Sequence, residues 1–135
     1  MRALIDTGAL LALASSRDQY HERAVITARR FVKRGGRWVG SVLVLGELHG
    51  HLLHRRGSTV ARDVLASLLR DTVYQWVDVG ADLVEAAASA WLERYHDQRF
   101  SLTDAMSFEI MRREKLSDAF AFDQDFVTAG YHLLE

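Results

Sequence analysis

The chain has 135 residues, of which 49% are hydrophobic and 26% charged, with a formal net charge of −1 and no cysteine. That length suits one domain, residues 1–135, with a core that needs no cross-link, and the missing thiols exclude disulfide frameworks and thiolate metal sites. A protein that holds nucleic acid mainly by a basic surface is usually strongly positive, so if this chain handles nucleic acid, local arginines and bound cations must offset its carboxylates; no apolar run approaches the roughly 18 residues of a membrane span.

Ala3-Leu4-Ile5 opens the chain as a short buried strand. The apolar stretch 4–14 follows a single arginine, is broken by Asp6 and lacks a cleavage site. It therefore reads as part of the fold and not as a secretion signal, and a cytoplasmic location is expected. Helices are predicted over residues 9–15 and 18–34, the second with Arg29, Arg30 and Arg34 on its outer side. Gly35-Gly36 ends it, and Trp38-Val39-Gly40 follows as a second strand. Ser41 is positioned to cap a helix that runs to Arg56 and stops at Gly57. Ser58 starts another, with Val60, Val64, Leu65, Leu68 and Leu69 on its apolar face. A strand is expected over 74–79, helices over 81–95 and 103–114, and strands over 119–122 and 131–134. There is no proline, linker or repeat. Strands alternating with helices imply an α/β fold whose mostly parallel sheet is covered on both faces.

In such sheets ligands bind beyond the carboxyl ends of the strands. Asp6 and Asp123 directly follow predicted strands. Glu47 falls in the second turn of the helix leaving the second strand, and Asp104 in the first turn of the helix that feeds the strand before Asp123. All four carboxylates are therefore expected at one sheet edge. Each also has an ordinary reading: Ser101-x-x-Asp104 is a capping-box pattern, Asp6 can form a turn, and Asp123 and Asp125 can be turn and N-cap residues. Glu47, among Leu43, Leu45 and Leu48, needs a partner in any reading. Independent local explanations do not predict a shared edge. Crowded carboxylates repel unless protons or cations neutralise them, and magnesium or manganese suits oxygen ligands. Such ions support in-line phosphodiester hydrolysis without a histidine or serine nucleophile.

Glu47, His51 and His54 share one helix face, which leaves a transition-metal hydrolase as an alternative, although the spacing is not that of the common zinc motif. Otherwise His51 or His54 is placed to touch substrate. Arg55, Arg56 and Arg112, the last followed by Arg113, are candidate phosphate contacts, or simply solvated helix ends. Trp38, Trp76, Trp91 and Phe108 lie in apolar contexts and are expected in the core.

Four segments together carry a resemblance: Leu4-Ile5-Asp6-Thr7-Gly8-Ala9-Leu10, Ser41 to Leu48 with Glu47, Ser101-Leu102-Thr103-Asp104-Ala105, and Ala119-Phe120-Ala121-Phe122-Asp123-Gln124-Asp125-Phe126. They resemble, in order and spacing, the motifs of PIN-domain ribonucleases, and Asp18, His21 and Ala24 match the family's second-helix pattern. Size and bare domain look most like the VapC-type toxins of toxin–antitoxin pairs. The resemblance implies a three-layer α/β/α fold with a central sheet of four or five strands, and magnesium- or manganese-dependent endonuclease activity on RNA. It maps Asp6, Glu47, Asp104 and Asp123 onto the metal-site positions and Thr7 and Thr103 onto supporting hydroxyls, with Asp125 as an extra carboxylate. It also implies a cognate VapB-type antitoxin and a homodimer. Two alternatives stay open: a housekeeping RNA-processing or flap nuclease of the same fold, and a non-catalytic module whose carboxylates engage a basic peptide.

Overall fold

Short apolar runs that end at a capping or turn residue become the strands of one sheet in the computed structural model, which describes residues 1–135. The strands are β1 (Arg2–Ile5), β2 (Arg37–Ser41), β3 (Tyr74–Val77), β4 (Asp118–Phe120) and β5 (His132–Leu133). The helices are α1 (Thr7–Ala14), α2 (His21–Lys33), α3 (Val42–Arg56), α4 (Ser58–Arg70), α5 (Ala81–Ala87), α6 (Leu102–Glu114) and α7 (Asp125–Thr128), with a π-helical segment at Ala88–Glu93 continuing α5.

All strand pairs are parallel, in the order β3-β2-β1-β4-β5. Successive strands build outward from β1 through β2 to β3, and the chain then crosses to the other side of β1 for β4 and β5. The reversal leaves a crevice between the carboxyl ends of β1 and β4, where open α/β sheets place their ligands. Register aligns those ends, with Leu4 opposite Ala119 and Ile5 opposite Phe120.

Alternation along the strands builds two cores. Ala3, Ile5, Trp38 and Phe120 point to the face covered by α1 to α4, where they pack with Leu10, Phe31, Leu48 and Leu52. Leu4, Val39 and Ala119 point to the opposite face, against Trp91, Phe108, Met111 and Phe126. This is a three-layer α/β/α sandwich with five strands, parallel throughout rather than mostly so. No helix is long and apolar enough to cross a membrane.

Local chemistry explains the differences from expectation. α2 starts at His21 because the Asp18 carboxylate accepts the Tyr20 amide (2.8 Å) and holds residues 18–20 in a turn. β4 stops at Phe120, so Asp123 lies two residues beyond Ala121 instead of directly after a strand. The Asp123 carboxylate accepts the Asp125 amide (2.9 Å), and α7, not foreseen, begins there. Within the predicted 81–95 helix the turn widens around Trp91, whose indole packs against Phe108 at 5.3 Å between ring centroids. Leu69 was expected on the apolar face of α4; it is 60% exposed, because Leu68 takes the core position and the next residue turns to solvent.

Glu109 on α6 is a buried charge, 1% exposed. It accepts from Arg112 Nε (2.9 Å) and Nη2 (2.7 Å), from Arg113 Nε (2.9 Å) and from Trp91 Nε1 (3.3 Å). Arg112's hydrogen bonds, opposed by burial and helped by those of Arg113 and Trp91, hold this carboxyl down at about 2. Its contribution to stability is thus present above the ordinary glutamate range and is lost as pH falls toward 2. Glu109→Ala removes the acceptor of four donors, and we expect a loss of about 2–3 kcal/mol in urea unfolding at neutral pH. A variant within about 0.5 kcal/mol of the parent would show that the network does not stabilise the fold.

Candidate metal centre and active site

The end of β1 positions the first acid. Asp6 donates its backbone N–H to the Phe120 carbonyl (3.1 Å), which pins it to β4 across the crevice, and its extended backbone makes it the N-cap residue of α1. Its side chain is nearly enclosed, the residue being 8% exposed. Glu47 arrives from the second turn of α3, whose start is fixed by the Ser41 hydroxyl accepting the Val44 amide (3.3 Å). Two neutral hydroxyls hold the Glu47 carboxylate. Thr7 Oγ1 donates to Oε1 at 2.7 Å, and Thr103 Oγ1 donates to Oε2 at 2.9 Å. One carboxylate thereby ties together α1, α3 and α6.

Asp104 is a cap and a site candidate at once. The Ser101 amide donates to its Oδ2 (3.2 Å) while its own amide donates to Ser101 Oγ (3.0 Å), a complete capping box. Ligating atoms of Asp104, Asp123 and Asp125 lie within 4.8 Å of one another. Asp123 also lines, with Asp6, Thr7 and Glu47, a groove of about 440 Å³. Asp123 therefore belongs both to the groove wall and to the converging group, and Asp125 joins the latter.

The electrostatics of these groups follow from their burial and their proximity. Burial pushes the Asp6 carboxyl up to about 7; the Thr7 amide opposes this, and Asp104, Glu47 and Asp123 each raise it further. The Asp104 carboxyl is raised by burial, countered by its Ser101 bonds, and raised again by Asp123 and Asp125. Burial and then Asp123 raise Asp125. None of the protein's salt bridges involves any of these five acids. A set of hard oxygen donors, mutually repelling and without a counter-cation, fits a divalent metal ion with oxygen preference.

Other candidates are sorted by the same geometry. The ligand atoms that converge belong to Asp104, Asp123 and Asp125; His51 and His54 do not join them, and Asp6 and Glu47 stand outside that group in the groove wall, with Asp123 and His51 beside them. Arg112 is not brought to the acidic edge. It lies at the opposite end of α6 from Asp104, its guanidinium bonded to Glu109. Arg55 and Arg56 line a separate cavity together with Arg17, which was not singled out because it lies in a turn with no periodicity. The groove wall also includes Tyr20 and Phe122, rings stacked at 4.4 Å and 10°, with the Arg23 guanidinium 5.7 and 5.4 Å from their centroids. The one hint of this pair was Phe122's place beside Asp123.

Comparison with known proteins agrees with this architecture. The PIN domain family model matches residues 3–130. The chain is 35% identical over 127 residues to the 23S rRNA-specific endonuclease VapC20 of Mycobacterium tuberculosis (strain ATCC 25618 / H37Rv), covering 94% of this chain and 93% of the relative. The crystal structure of Mycobacterium tuberculosis VapC20, described as a sarcin-ricin loop cleaving toxin, superposes with a TM-score of 0.83 at 34% identity, covering 96% of this chain and 95% of that one. VapBC2 from Rickettsia felis, solved bound to a promoter DNA fragment, shares the fold with a TM-score of 0.69 at 14% identity, over 98% of this chain and 97% of that one. With a family model matching residues 3–130 and a relative 35% identical over 94% of this chain, the chain belongs to the PIN-domain family.

Proposed function

We propose that residues 1–135 form a divalent-metal-dependent endoribonuclease, the toxin of a toxin–antitoxin pair acting in the cytoplasm. The observation that carries the reading is the gathering of acids at one sheet edge: Asp6, Glu47 and Asp123 line one groove, and ligand atoms of Asp104 and Asp125 lie within 4.8 Å of those of Asp123, with no salt bridge to any of the five. Similarity to a relative named as an rRNA-specific endonuclease supports RNA as substrate.

Asp6, Glu47, Asp104 and Asp123 would hold magnesium or manganese. When bound, the cation supplies charge neutralisation and Lewis acidity toward a phosphodiester and its attacking water. Thr7 and Thr103 fix the direction of the Glu47 carboxylate, so that its oxygens do not wander as charge builds at the phosphate. The Asp125 amide orients Asp123 in the same way. Enclosure of Asp6 lowers the local dielectric and strengthens every charge interaction at the reacting centre. The partners in this reading are the RNA substrate, a VapB-type antitoxin that covers the groove, and a second copy of the chain as homodimer.

The test is incubation with a mixed RNA pool in magnesium, in manganese and in chelator, with both ends of each cut mapped. Metal-dependent internal cleavage is expected; an RNA pool untouched under all three conditions would overturn the reading. Calorimetry adds a second expected result. Asp6 must release its proton to become a ligand, so manganese affinity should fall progressively as pH drops below about 7, with proton release on binding. Affinity independent of pH between 5 and 8 would remove Asp6 from the ligand set.

A further inference from the structure

Beside the acidic groove lies a cavity of about 250 Å³ lined by Arg17, Arg55 and Arg56. Arg55 and Arg56 come from the last turn of α3, Arg17 from the turn between α1 and α2. All three are exposed, and none belongs to a salt bridge. Asp18, the acid in the same wall, has one oxygen engaged by the Tyr20 amide. The cavity therefore concentrates three guanidinium groups against one carboxylate in a chain of net charge −1. Leu11 and Asp18 belong to the walls of both cavities, so the basic one adjoins the acidic one.

We propose that this basic cavity is a phosphate subsite, seating a backbone phosphate of the RNA that flanks the one being cut. The substrate class rests on the nuclease reading above; the subsite itself rests on the arginines. A helix C-terminus favours cations and accounts for Arg55 and Arg56 as a pair, but not for Arg17, which is on no helix. Guanidinium forks match phosphate oxygens in bidentate fashion. Distance separates this subsite from the reacting centre. Arg55 is eight residues beyond Glu47 on α3, about 12 Å at 1.5 Å per residue. A stacked strand advances about 3.4 Å per nucleotide, so the cavity lies more than one nucleotide from the scissile bond. Three guanidinium groups at this distance attract a flanking phosphate and set the strand's direction through the groove.

The experiment measures binding of a labelled single-stranded RNA by fluorescence anisotropy across a salt series, in an Asp6→Asn background so that the RNA stays intact. Replacing Arg17, Arg55 and Arg56 together by Gln is expected to reduce the slope of log affinity against log salt by about 0.7, the contribution of one phosphate contact on a single strand. Restoring Lys at the three positions should restore the slope, because charge and not packing is read. Arg29, Arg30 and Arg34, exposed on and after α2, provide a control triple that removes the same formal charge elsewhere and should change the slope by less than one contact. In the metal-loaded enzyme with Asp6 intact, the first triple should raise KM more than it lowers kcat. Equal slopes for the two triples, or an unchanged slope for the first, overturn the subsite. So does retained RNA binding with loss of binding to a polyglutamate peptide, which assigns the arginines to an acidic protein partner. Failure of the nuclease reading looks different: the parent protein then neither binds nor cuts RNA, whatever stands at positions 17, 55 and 56.

Discussion

Asp6→Asn is expected to reduce metal-dependent RNA cleavage by on the order of 10³-fold or more while making the metal-free protein more stable. The activity loss follows from removing a charged oxygen from the wall of the acidic groove, since several kcal/mol of charge stabilisation are at stake and each 1.36 kcal/mol is tenfold in rate. The gain in stability follows from linkage. In the folded, metal-free protein the Asp6 carboxyl sits at about 7, against an ordinary value of 3.8. Between those values the folded state holds a proton that the unfolded chain has released. Stability from this group is therefore complete below about pH 4 and is lost as pH rises through 7, by at most about 4 kcal/mol. Asparagine is neutral at every pH, so it removes that loss. Thermal melts in chelator at pH 5 and pH 8 check both signs. The parent should melt higher at pH 5, the variant should lose much of that difference, and at pH 8 the variant should be the more stable of the two. Manganese should stabilise the parent and do little for the variant. Asp104→Asn should also lose cleavage, but with stability within about 1 kcal/mol of the parent, because asparagine can still accept the Ser101 amide. Wild-type cleavage rates in both variants would falsify the assignment of these acids.

The second large effect concerns groups that need touch neither metal nor RNA. Replacing Thr7 and Thr103 together by Val keeps the branched shape and removes both hydroxyls that hold Glu47. Outer-shell partners of ligands typically contribute 10–100-fold in affinity or activity, and that is the expected fall in kcat/KM and in manganese affinity. The two threonines are nearly buried, 7% and 8% exposed, so water does not readily replace the lost donors. Thr→Ser at both positions should recover most of the loss, whereas a purely steric role would predict that Val, the better shape mimic, performs best. Double Val variants with unaltered metal affinity and turnover would show that Glu47 needs no clamp.

Much of this protein was legible along the chain because its signals are local. Ser41, Gly57 and Ser101 mark helix ends by hydrogen-bond chemistry that acts within four residues, and each sits where that chemistry predicts. Parallel strands buried on both faces are short apolar runs, and ligands bind at the carboxyl edge of a parallel sheet, so the sequence places Asp6, Glu47, Asp104 and Asp123 at one edge. Other features depend on segments far apart in the chain. Nothing near Leu4 says that it pairs with Ala119, a choice decided by how two cores fill on opposite faces of the sheet. The Thr7–Glu47–Thr103 clamp spans 40 and 56 residues, and Tyr20 meets Phe122 only after both ends of the fold have closed. Arg112 reads like a phosphate contact until Glu109, one turn earlier, is found buried and accepting its hydrogen bonds. Capping and periodicity are properties of a window of residues, so the amino-acid order alone determined most of the elements and pointed to the edge for the acids, whereas α7 and the widened turn at Trp91 came from longer-range contacts. Strand order, the hydroxyl clamp and the basic cavity were decided by the tertiary structure, because long-range packing determines which distant side chains become neighbours.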